Sequence, residues 1–156
     1  MTGIYAQELE PNSLFDAYKS RRTIVTQGQR IAIDFRINDL FIGDSDKIDN
    51  KPTISVKVKS PSVLEYIEIL RDGEVIKRFE TGEKTVSEKF TDSDAAYGRH
   101  FYYVKVKTIG DPSYNEEDSD KKEYTVPFVS QGRYPFNFAR AHGPFAWTTP
   151  IWVEYE

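Results

Sequence analysis

The chain has no cysteine, which removes disulfides, thiolate nucleophiles and cysteine-ligated metals from its chemistry. Histidine is almost as scarce: His100 and His142 are the only two, and neither stands in an H-x-H or H-E-x-x-H spacing that would place two imidazoles on one ion. No glycine-rich strand-to-helix turn is present to cradle a phosphate. There is no G-x-S-x-G, and Ser130, in VSQG, has no base close by in sequence. No apolar run approaches the ~18 residues that a membrane helix needs. The opening MTGIYAQELEPNS lacks a basic stretch followed by an apolar one, so no export signal is expected and the expected compartment is the cytoplasm. With 21 basic and 25 acidic residues the net charge is -4. Such a chain has no broad positive field, and neither nucleic acid nor membrane is expected as a partner. No cofactor is expected, and no catalytic residue set emerges.

What is present favours strands. Ten Phe and ten Tyr contribute to an aromatic content of 14%, suited to a packed β core. The first element is nevertheless helical. Asn12 or Ser13 is the expected cap, Leu14, Phe15, Ala17 and Tyr18 form an apolar stripe, and Arg21 and Arg22 close the helix where cations suit its dipole. From there the period becomes two. Ile31, Ile33, Phe35 and Ile37 alternate with polar residues, as do Ile54, Val56 and Val58, which predicts two strands with one wet face each. The polar stretch 41–51 between them reads as a loop. Leu64–Arg71 and Glu74–Glu80 flank Asp72-Gly73, a dipeptide suited to a type I′ turn, and so form a hairpin. Thr85–Thr91, Arg99–Thr108 and Ala146–Tyr155 complete about seven strands. In Arg99–Thr108, Tyr102, Val104 and Val106 point inward and Lys105 and Lys107 outward. The expected architecture is an antiparallel β-sandwich of immunoglobulin or fibronectin type, with residues 1–29 as an N-terminal helix-and-strand unit and 30–156 as the sandwich. Tyr102, two residues before Val104, sits where a tyrosine corner would be. Residues 110–143 form an insertion, acidic and then aromatic.

Few residues invite chemistry. Asp44, Asp46 and Asp49 are spaced for hard oxygen ligation, but a calcium loop begun at Asp44 would need an oxygen donor where Ile48 stands, Gly where Asp49 stands and Glu where Ser55 stands. They read as a solvated loop, as do Glu116, Glu117, Asp118 and Asp120. His100 is expected on the surface beside Arg99, and His142 within the aromatic loop. That loop carries Arg133, Tyr134, Phe136, Phe138, Arg140 and His142. It is read as packing onto the sandwich, as a docking patch for another domain, or as a platform for carbohydrate.

Three stretches, IYAQELEPNSLFDAYKSRRTIVTQGQRIAIDFRIND, IEILRDGEVIKRF and HFYYVKVK with AWTTPIWV, resemble the carboxyl-terminal portion of PHP-type (polymerase and histidinol phosphatase) metal-dependent hydrolases of the carbaryl-hydrolase-like branch. The resemblance implies a catalytic barrel that ends in a helix and a strand, matched by 13–22 and 23–28, followed by an immunoglobulin-like sandwich closed by 146–153. The family's metal ligands, from His-x-His, Asp and Asp-x-His motifs, would lie in the barrel. None has a counterpart here, so this chain is expected to be a non-catalytic module. Its partner would be the barrel of a parent protein or a second copy of the chain. Ile4, Tyr5, Leu9, Leu14 and Phe15 would then need a surface to cover them, and Leu14, Phe15 and Tyr18 are the expected interface.

Overall fold

The computed structural model describes residues 2–27, 29–109 and 145–156. Ser130, the run 116–120 and the aromatic patch of Arg133, Tyr134, Phe136, Phe138, Arg140 and His142 lie outside the described residues, as does the expected insertion 110–143. In chain order the elements are β1 (Thr2–Ile4), α1 (Pro11–Lys19), β2 (Thr23–Thr26), β3 (Ala32–Ile37), β4 (Leu40–Phe41), β5 (Ser45–Ile48), β6 (Thr53–Lys59), β7 (Leu64–Arg71), β8 (Glu74–Glu80), β9 (Thr85–Thr91), β10 (Gly98–Thr108), β11 (Phe145–Thr148) and β12 (Ile151–Tyr155). The fold is mainly β, in two sheets.

The smaller sheet runs β4-β3-β6-β9. Its β3–β6 register pairs Ile33 with Val58, Phe35 with Val56 and Ile37 with Ile54, so every second side chain of both strands reaches one face. All six are at most 1% exposed. At about 1.5–3 kcal/mol for each fully buried aliphatic or aromatic side chain, this face is a main source of stability. The larger sheet is centred on β10, with β7 and then β8 on one side. Its other side is shared by β11 and β12. Val104 and Val106 of β10, with their partners Ile69 and Ile67 on β7, form the matching apolar face.

The β7–β8 hairpin is as predicted. Asp72 (φ 54) and Gly73 (φ 92) both take positive φ, as a type I′ turn requires.

Four expectations are corrected. The helix starts at Pro11, with Glu10 as N-cap and no side-chain cap bond, because the fixed φ of proline suits the first helical turn. The polar stretch 41–51 contains β5, which pairs in parallel with β12; only Ile48 of its four residues is buried, so no alternation announces it. The final strand is two strands, separated at Thr149-Pro150. This break lets β11 continue to β2 and β12 to β5. His100 shares the inward side of β10 with Tyr102, and its side chain is only 15% exposed.

The N-terminal segment joins the larger sheet: β2 pairs with β11, and β1 pairs with β2. Tyr5 then crosses to the smaller sheet. Its hydroxyl donates to the Ile33 carbonyl and accepts from the Ile33 N–H, while its ring meets Phe41 edge-on at 5.3 Å.

Candidate interaction surface

Helix α1 is fixed by the residues that follow it. Arg21 takes φ 58, a left-handed position where a non-glycine residue costs about 1–2 kcal/mol. Its side chain offsets part of that cost by lying over the ring of Trp152, 4.8 Å from the centroid. Arg22 turns the other way. Its Nη2 donates to Asp44 Oδ1 at 2.9 Å, and its guanidinium lies 5.2 Å from the Phe41 centroid. The second oxygen of Asp44 accepts the Phe41 N–H at 2.8 Å, so one carboxylate ties the helix exit to the loop after β4. Gly43 closes the joint at φ +89: a Cβ there would stand 2.3 Å from the Ser20 carbonyl oxygen and 2.7 Å from that of Arg21. Backbone passes backbone with no room for a side chain.

This anchoring decides which way the helix faces. Ala17 is buried and Leu14 is half-buried against the body. Phe15 and Tyr18, three residues apart and therefore on one face, are 62% and 65% exposed, and Leu9 just before the helix is 92% exposed. Of the expected interface residues, Phe15 and Tyr18 are thus exposed, with Lys19 Nζ 5.7 Å from the Phe15 centroid, while Leu14 is half-buried. Of the apolar residues expected to need a cover, Tyr5 finds one within the sandwich, and Ile4 remains 40% exposed. The Arg21–Trp152 and Arg22–Asp44 anchors had no local sequence signal, because their partners lie far along the chain.

Beyond the helix joint, further ionisable groups are held in structural bonds. Tyr102 donates to Asp92 Oδ2 at 3.0 Å, and Arg71 Nη1 donates to the same oxygen at 2.6 Å. Tyr102 thus bonds a side-chain carboxylate and not the backbone acceptor that the expected tyrosine corner requires. Burial, together with the Asp92 carboxylate, pushes the Tyr102 phenol well above its usual range. Asp72 accepts the Phe101 N–H at 3.0 Å on one oxygen. Its other oxygen lies 2.6 Å from His100 Nδ1, whose Nε2 lies 3.0 Å from the Ala96 carbonyl. Burial opposes ionisation of Asp72, but the bonds from His100 and Phe101 and the charges of His100 and Arg71 outweigh it and lower its pKa. Among the described residues no three His, Asp or Glu side chains converge as metal ligands. Asp44 is occupied by Arg22 and Phe41, and Asp46 accepts the Lys47 N–H.

Comparison with known proteins finds similar sequence within longer chains. The protein is 25% identical to an uncharacterized protein of Chlamydia pneumoniae over 160 residues, covering 99% of this chain and 22% of that one. Uncharacterized proteins of Chlamydia muridarum and Chlamydia trachomatis serovar D are each 22% identical with the same coverage. The chain thus spans about a fifth of the length of these relatives. No family model matches the chain, and no solved structure does. Among the described residues no helix is long and apolar enough to cross a membrane.

Proposed function

We propose that the chain is a non-catalytic β-sandwich module that packs through α1 against other protein: the rest of a longer polypeptide where one is present, a second copy where the chain stands alone. The observation that carries this reading is the contrast within α1. One side is locked by Arg21, Arg22, Ala17 and Gly43, while Leu9, Phe15 and Tyr18 are held out at 92%, 62% and 65% exposure. Rings carried on a helix whose backbone is already fixed add little backbone ordering cost on docking, which suits an interface anchor. The length of the relatives supplies the polypeptide against which such a module would pack. The parent we propose is a PHP-type metallohydrolase-like protein, on the sequence resemblance already given, with the chemistry in its barrel. The strand orders β4-β3-β6-β9 and β5-β12-β10-β7-β8 support an immunoglobulin-like connectivity, in which β3-β6-β9 take the places of strands A, B and E and β7-β10-β12 those of C, F and G.

The test is a sedimentation-velocity series on the isolated chain. Concentration-dependent self-association is expected, and a strict monomer at every concentration would contradict the proposal.

A further inference from the structure

We propose that a groove on the outer face of the larger sheet, between β5, β12 and β10, is a binding site for a neutral saccharide. Its floor is a cross-strand aromatic pair: Phe101 of β10 and Trp152 of β12 are direct antiparallel partners. The residues next to them, Tyr102 and Val153, fill the core at 0% and 2% exposure. The rings of Phe101 and Trp152 therefore project away from a core that is complete without them. The groove has a volume of about 550 Å³ and is bounded by Lys47, Arg99 and Glu154 around that floor. This is within the range of about 300–1,000 Å³ typical of small-ligand sites.

The rim charges select the ligand class. Two cations, Lys47 and Arg99, are each paired with a carboxylate: Arg99 Nε lies 3.5 Å from Glu154 Oε1, and Lys47 Nζ pairs with Glu156. A polyanion finds both of these cations already neutralised. A purely apolar ligand would strip water from the two ion pairs. A pyranose meets both demands, laying its C–H face on the aromatic ring and turning hydroxyls, each both donor and acceptor, to the charged rim. The floor is preorganised as well. Arg21, 4.8 Å from the Trp152 centroid, holds one side of the indole, so little motion is lost when the other side is covered.

The chain has two tryptophans, Trp147 and Trp152, so the Trp147→Phe variant leaves a single indole in the groove floor as reporter. Its fluorescence would be titrated with cellohexaose, xylohexaose, chitohexaose and maltohexaose, and with a heparin hexasaccharide as the anionic arm. The same protein would be applied to a glycan array. Saturable quenching or a spectral shift is expected with at least one neutral oligosaccharide. Arg99 is 84% exposed, so Arg99→Ala leaves the fold intact, and it is expected to weaken binding about threefold to tenfold through loss of one charged donor. Trp152→Phe, read on the array, should weaken it further. A blank array with an unchanged spectrum overturns the proposal. So does binding that is equal in both variants, or a preference for heparin over every neutral sugar.

Discussion

Gly43 and Gly73 adopt nearly the same φ, +89 and +92, in opposite surroundings. That makes them a matched pair for measuring what holds α1. At Gly73 a Cβ would meet nothing within 4 Å, so Gly73→Ala should cost only the strain of a left-handed alanine, about 1 kcal/mol. At Gly43 the same strain applies, and the Cβ would also fall 2.3 Å from the Ser20 oxygen and 2.7 Å from the Arg21 oxygen. Those are main-chain atoms of the helix exit, so relief requires α1 to move as a body. Moving it withdraws Arg21 from Trp152 and Arg22 from Asp44. That ion pair is about a third exposed on each side, at 34% and 29%, and solvent screening limits its share to about 1 kcal/mol or less. Together with the lost packing of Ala17 and Leu14, Gly43→Ala should cost about 3 kcal/mol. Urea denaturation of both variants measures the difference. Equal destabilisation of the two would refute the claim that the Gly43 crossing locks the helix.

Other expectations concern the ionisable groups of the sandwich. Asp92→Ala strands the Arg71 guanidinium and the buried Tyr102 hydroxyl and should cost about 3 kcal/mol in urea denaturation; a loss below about 1 kcal/mol would show that solvent replaces the carboxylate. Asp72 has a folded-state pKa below its ordinary value of 3.8. Its contribution to stability is therefore complete above that unfolded value and lost as pH falls through the lower folded one. Asp72→Asn should accordingly be less stable than the parent chain near neutrality, with the gap closing only as pH falls below 3.8; a gap that persists unchanged at pH 2 would argue against a charge-based role.

Strands that alternate against a single core were legible in the sequence. β3, β6 and β10 each bury every second residue, β9 half-buries every second one, and the β7–β8 hairpin is announced by Asp72-Gly73. Alternation fails where a strand has no buried face of its own. β5 carries Ser45, Asp46 and Lys47 to solvent and is a strand only because β12 offers it an edge. Likewise, Thr149-Pro150 lies inside a run that reads as one strand, and only the two different outer neighbours, β2 and β5, show why it breaks. The interface was half legible. The apolar stripe of α1 is evident from Leu14, Phe15 and Tyr18, but which of them faces solvent depends on Arg21 and Arg22 finding Trp152 and Asp44. The aromatic floor at Phe101 and Trp152 was hidden for a similar reason, since its two rings are neighbours only through sheet register.

The central claim is that Phe15 and Tyr18 serve association rather than folding. The most direct measurement is a paired one on the Phe15→Glu/Tyr18→Glu double variant: thermal melting, and sedimentation over the concentrations at which the parent chain self-associates. The account predicts an essentially unchanged melting temperature, because both side chains are more than 60% exposed, together with complete loss of self-association. A variant that melts many degrees lower, or one that associates as the parent does, would contradict it.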